Sequence, residues 1–303
     1  MTTNDNSEQT RVILWSVPRA TSTAFEMSMN NVSDSIIWHE PYLCAMWWGT
    51  DSRFPLPGSD GWAGEQRTDL ESRITSTHLD LANGYDAYKT KYSWVKNGLE
   101  QDYAGKRLVF CKAISYGATT RFDAIPDGFR HTFLIRHPYK VLPSWKNLVS
   151  MTLKIPVEEF RLDNLPESTM PSGYAFKESY DVLQHVKQQY EANPIIIDAD
   201  DLLNHPKQIL QQYCQAVNIP YSDSLLRWTP GPGEVIAKDW RVPIQLVQGS
   251  KVGGWYEAAF ASSGWQKDRP TPSRSELSSD ILACADAIMP YYEEMYKERM
   301  IPQ

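Results

Sequence analysis

Arg11-Val12-Ile13-Leu14-Trp15 runs directly into Ser16-Val17-Pro18-Arg19-Ala20-Thr21-Ser22-Thr23, and this junction decides the fold. The first part is a short apolar run rich in β formers, as in a strand buried on both faces. The second is a Pro-Arg loop with three hydroxyl residues, and a helix is expected from about Ser22 to Asn31. A strand that turns straight into a helix presents unpaired N–H groups and the positive end of the helix dipole. Phosphate binds readily at such a point. Arg19 adds charge there, and Thr21, Ser22 and Thr23 add hydroxyl donors. The loop lacks GxxxxGK[ST], so it is not the usual nucleoside triphosphatase loop. It also lacks glycine, which makes its backbone less free. A plain Ser/Thr helix cap beside an exposed arginine uses the same letters, so the loop alone does not fix a function.

Working outward, the same alternation continues. Ser35 to Trp38, Arg107 to Lys112, His131 to Arg136 and Pro194 to Asp198 read as further short apolar strands. Helical spacing covers Glu65 to Ala82, the stretch after Pro138, Tyr174 to Tyr190, and the run opened by Pro206. Pro143 falls near the first turn of its helix, where proline is tolerated. A last helix is expected from about Ser275, with an interruption at Pro290. Thr229 to Ser250 is rich in Gly and Pro and reads as a long irregular loop, of a length that is often functional. The class is α/β: a three-layer sandwich with a central parallel sheet flanked by helices. In such sheets ligands bind at the carboxyl ends of the strands, and each motif of interest falls there.

The chain has 303 residues, 42% of them apolar, which suits one domain over 11–303 after a polar lead-in at 1–10. A net charge of −7 argues against a broad nucleic-acid face. No apolar run is long enough to span a membrane, and MTTNDNSEQT lacks the apolar core of a signal peptide. Cys44, Cys111, Cys214 and Cys284 are scattered without metal-ligand spacing. They read as reduced thiols of a cytoplasmic protein, and no metal is expected.

A second anion site is suggested by Phe133 to Ser144, FLIRHPYKVLPS. Arg136 ends a strand, and a guanidinium makes bidentate, charge-assisted bonds to phosphate. Ser144, two turns into the next helix, is placed to reach the same group.

Together the two motifs resemble the sulfotransferases that use PAPS (3′-phosphoadenosine-5′-phosphosulfate). Pro18-Arg19-Ala20-Thr21-Ser22-Thr23 is similar to their P-K/R-S-G-T-T-type loop. Arg136-His137-Pro138, with Ser144 eight residues after the arginine, is similar to their second motif. The resemblance extends from about residue 11 to 260, including Ile195 to Trp228. It implies a P-loop type fold, PAPS as donor and PAP as product. It further implies that Arg19, Ala20, Thr21, Ser22 and Thr23 hold the 5′-phosphosulfate, and that Arg136 and Ser144 hold the 3′-phosphate. Lys251 and Gly253, in Lys251-Val252-Gly253-Gly254, approximate a C-terminal stretch of the family that approaches the 3′-phosphate. Two departures stand out. Thr21 replaces the loop glycine. Lys112 matches the lysine of a K-T-H motif, but Ile114 stands where its histidine base would be.

The base must then come from elsewhere. Glu40, in His39-Glu40-Pro41 after the second strand, is the first candidate, since some bacterial sulfotransferases use a similar E-P run. Shielding from water would raise its pKa towards the value a base needs. His39 competes, because its ordinary pKa lies near neutrality. Lys112 is either a stabiliser of transition-state charge or an ion-pair partner. Tyr42, Trp47 and Trp48 follow Glu40 closely, with Trp62 and Trp94 further on. Core packing accounts for most of them, while Trp47 or Trp48, next to the proposed base, suits an apolar acceptor pocket or a box for a cationic acceptor. The expected activity is in-line sulfuryl transfer from PAPS to a hydroxyl of a small molecule. The alternatives are a P-loop kinase of a nucleotide or small molecule, and an inactive nucleotide-binding protein.

Overall fold

The computed structural model describes residues 9–49, 51, 84–86, 90–165, 171–231, 240–243, 255–267 and 269–303, without the side chain of Trp48. Along the chain the main elements are β1 (Thr10–Ser16), α1 (Ser22–Met29), β2 (Ser35–His39), α2 (Pro41–Trp48) and β3 (Gly84–Tyr85). Then come α3 (Tyr92–Glu100), β4 (Leu108–Ile114), β5 (Arg130–Ile135), α4 (Pro138–Leu153) and α5 (Phe176–Gln189). The remainder holds β6 (Ile195–Asp198), α6 (Ala199–Asn204), α7 (Pro206–Val217), β7 (Trp240–Pro243), α8 (Glu257–Ala261) and α9 (Ser279–Lys297).

The strands form one sheet in the order β3-β7-β2-β4-β1-β5-β6, and all six pairings are parallel. The central strands are apolar on both faces because helices cover both. Val12, Ile13, Leu14 and Trp15 of β1 and Leu108 to Cys111 of β4 are fully buried. Register sets the site. Ser16 lies level with Ile114 on one side and Leu134 on the other, and His39 lies level with Lys112. The loop after β1, Glu40 after β2 and Arg136 after β5 therefore emerge along one edge of the sheet, where parallel α/β folds bind ligands.

Several expectations need correction. Strand β4 runs on to Ile114, so Lys112 sits inside the strand and not at its end. Within the stretch expected to be irregular, Trp240–Pro243 is a strand, paired with β2 through Ile37 and Trp38. Pro143 is the sixth residue of α4, beyond its first turn. Pro290 does not interrupt α9. Ile281, Cys284, Ala285 and Ile288 before it and Tyr292 and Met295 after it are all buried, and that packing outweighs the roughly 3 kcal/mol a helix-interior proline costs. The helix expected at Glu65 to Ala82 lies outside the described residues, as do Trp62, Lys251 and Gly253. The four cysteines are buried and free. No helix among the described residues is long and apolar enough to cross a membrane.

Candidate active site

The loop between β1 and α1 takes an unusual path without glycine. Arg19 and Thr21 both have φ of 64°, and Glu40, at the equivalent turn after β2, has φ of 49°. Left-handed backbone at non-glycine residues costs about 1–3 kcal/mol each and clusters at functional sites. Its effect here is to aim groups. Thr21 caps α1 without using its side chain on the first amides, so the helix N-terminus stays open to an anion. The Arg19 guanidinium donates from Nε to Ser144 Oγ (3.0 Å) and from one terminal nitrogen to the Trp255 carbonyl (2.8 Å). Arg136 in turn donates to the Arg19 carbonyl (3.1 Å), and its Nε lies 3.6 Å from Asp200 Oδ1. The two motifs read separately in the sequence are thus one hydrogen-bonded unit. Burial pushes the Arg19 guanidinium below its ordinary value.

Beside this unit lies a buried charge cluster. The Glu40 amide donates to the Lys112 carbonyl (2.9 Å), which continues the β2–β4 pairing and brings the two side chains together. Glu40 Oε1 accepts from Lys112 Nζ, and Glu40 Oε2 accepts from the Tyr256 hydroxyl (2.7 Å). Burial alone would raise the Glu40 carboxyl. The charges of Lys112 and His39 and the hydrogen bonds from Lys112 and Tyr256 prevail, and hold it below its usual range. This corrects the expected raised pKa. Behind the cluster, His39 Nδ1 meets Glu26 Oε2 at 2.8 Å, with both side chains buried. Burial raises the Glu26 carboxyl, against the charge of His39.

Arg19, Thr21, Ser22, Thr23, Glu40, Lys112, Arg136 and Ser144 all line one cavity of about 630 Å³. Ala20 is fully buried beneath the loop and does not line it. Neither does His39, whose Nδ1 is held by Glu26. Tyr42 is also packed away, fully buried with its hydroxyl donating to the Ala124 carbonyl (3.0 Å). Trp47 is half-buried and packs edge-on against Trp255 (6.3 Å between centroids), so it supports a wall without forming it. Trp48 closes α2, and its side chain lies outside the described residues. Trp94 is on α3, against Trp38. Sequence reasoning missed Tyr116, Trp145, Trp255, Tyr256, Lys267 and Arg269, which all line the cavity. Trp255 and Tyr256 directly follow Gly253-Gly254, and that adjacency was the available signal.

Comparison with known proteins bears on this geometry. Residues 185–299 match the model of a family described as a sulfotransferase domain. The match to this sulfotransferase-domain model covers 115 of the 303 residues. The matched segment contains Trp255, Tyr256, Lys267 and Arg269 and begins after the β1 loop and Arg136. Two Arabidopsis thaliana proteins are similar over 87% of the chain. They are branched-chain-amino-acid aminotransferase-like protein 2, 27% identical over 267 residues, and protein 1, 24% identical over 268. The chain spans 37% and 38% of the lengths of these relatives. Among solved structures, the sulfotransferase domain from the curacin biosynthetic pathway aligns with a TM-score of 0.47 and 17% identity, over 97% of this chain and 99% of that one. Sulfotransferase STF9 from Mycobacterium avium aligns at 0.44 and 14%, over 97% and 77%.

Proposed function

We propose that this chain is a sulfotransferase that moves a sulfuryl group from PAPS to a hydroxyl of a small-molecule acceptor. The observation that carries the reading is the convergence of the β1 loop, Arg136 and Ser144 on one cavity that Glu40 also lines. Its described walls carry the cations Arg19, Lys112, Arg136, Lys267 and Arg269 against the single carboxylate of Glu40. That balance suits a donor with two anionic ends.

The open N-terminus of α1, with Arg19, Ser22 and Thr23, would hold the 5′-phosphosulfate end. Arg136 and Ser144 would hold the 3′-phosphate, with Lys251 and Gly253 proposed to approach it. Bound there, PAPS supplies the sulfuryl group. Glu40 is ionised at neutral pH and accepts the acceptor's hydroxyl proton. Lys112 and Arg19 offset the negative charge that grows beside the loop. Trp145, Leu148 and Trp255 give the cavity an apolar flank, and the excess of cations weighs against a cationic acceptor.

Isothermal calorimetry with PAP tests this reading against ATP with magnesium. Micromolar PAP binding, weakened at least tenfold in Arg136→Ala, and weaker ATP binding are expected. Absence of PAP binding, or tighter ATP binding, would overturn it.

A further inference from the structure

The two oxygens of Glu40 have different partners, and this division carries an inference that rests on the sulfotransferase reading. Oε2 is held by Tyr256, a neutral group. Oε1 is held by Lys112, a cation that itself lines the cavity beside Arg19 and the loop hydroxyls. A carboxylate paired with an ammonium is a poor proton acceptor, because the pairing favours its charged form. An anion docking at the loop changes that, since it draws on the same ammonium. The surroundings leave few other sources of compensation. Arg19 faces Glu40 from the loop and donates to Ser144 and Trp255. His39, preceding it on β2, is held by Glu26 of α1. Cys44 of α2 and Tyr116 face it as neutral groups, with burial raising both well above their ordinary values.

We propose that Lys112 is shared between Glu40 and the donor: the donor's anion draws the ammonium from Oε1, and that oxygen, with Oε2 still fixed by Tyr256, becomes the atom that takes the acceptor's proton. Tyr256 is then a positioning residue for the base. As Oε1 takes the proton from the acceptor hydroxyl, the acceptor oxygen forms its bond to sulfur. The bond from sulfur to the phosphate oxygen breaks, and its electron pair stays on the phosphate. Donor binding thus precedes activation of the base, and a proton is not removed from a hydroxyl with no sulfuryl group to receive it.

The test needs no acceptor. PAP is titrated calorimetrically from pH 5 to 8 in buffers of different ionisation enthalpy, against the wild type, Glu40→Gln and Tyr256→Phe. An anion that competes for Lys112 raises the proton affinity of Glu40, so PAP binding takes up protons and weakens as pH rises. Wild type should lose severalfold more affinity across this range than Glu40→Gln, a whole proton taken up over one pH unit being worth about tenfold. Tyr256→Phe should move the uptake to higher pH, because its phenol no longer stabilises the carboxylate. Equal proton uptake by wild type and Glu40→Gln leaves donor binding standing and overturns the sharing of Lys112. No PAP binding at any pH overturns the sulfotransferase reading itself. If Tyr256→Phe fails to fold, the comparison of wild type with Glu40→Gln still decides.

Discussion

At Glu40 and Lys112 the chain accepts two buried charges for the sake of one site, and each depends on the other. Lys112 is 1% exposed and Glu40 3%. Removing one partner of such a pair leaves an uncompensated buried charge, at a cost of about 3–5 kcal/mol. Lys112→Ala should therefore lower the urea midpoint sharply, and adding Glu40→Gln should recover most of the loss. A Lys112→Ala midpoint equal to wild type would show that the pair is not buried in solution. Much of the site was legible residue by residue. Arg19, Arg136 and Ser144 carried a recognisable spacing, and the structure joins them by direct hydrogen bonds. The state of Glu40 was not legible, because it depends on partners 72 and 216 residues further along the chain. Its flanking sequence implies shielding and a raised carboxyl, whereas Lys112 and Tyr256 reverse the sign. His39 likewise has the chemistry of a base in isolation, but Glu26 on α1 occupies it.

For the elements, the apolar runs located most of the central strands to within two residues, since strands buried on both faces leave an unbroken signal. Short elements with mixed composition were less legible. Strand β7 contains Arg241 and Pro243, and it exists because β2 and β3 flank it, not through its own propensity. Helix α3 shows a packing demand that its sequence conceals. A Cβ at Gly98 would lie 2.6 Å from Cη2 of Trp38. That ring cannot yield, because it is buried and its Nε1 donates to Tyr103 Oη (3.1 Å). Gly98→Ala gains up to about 1 kcal/mol of helix propensity and loses about 1–3 kcal/mol to overpacking. A net fall in the thermal midpoint is expected, and a rise would contradict the packing described here.

Across the whole molecule, α9 and the residues that follow it tie the far side of the sheet to its helical layer. Lys146 of α4 pairs with Asp280 (2.9 Å), Tyr292 donates to Asp198 at the end of β6 (3.1 Å), and the Met300 amide donates to the Ile196 carbonyl (2.7 Å). Burial, followed by the charge of Asp200, pushes the Asp198 carboxyl up to about 7. A carboxyl raised on folding favours the protonated form. Its contribution is complete below the unfolded value near 3.9 and is lost as pH rises through about 7. Asp198→Asn keeps a capping side chain and cannot ionise. Relative to wild type it should gain stability between pH 4 and 7, on the order of 4 kcal/mol at most. Denaturant melts at the two pH values check this, and a constant difference between the proteins would refute it. The sheet order carries a consequence for synthesis. β2 is complete by residue 39, yet its outer neighbour β7 begins only at Trp240. While the ribosome makes the intervening chain, an apolar strand waits with one edge unpaired, a template for pairing with another chain. Among the described residues the last strand to enter the sheet therefore protects one of the first, and a nascent chain stalled before residue 240 would be a form in need of a chaperone.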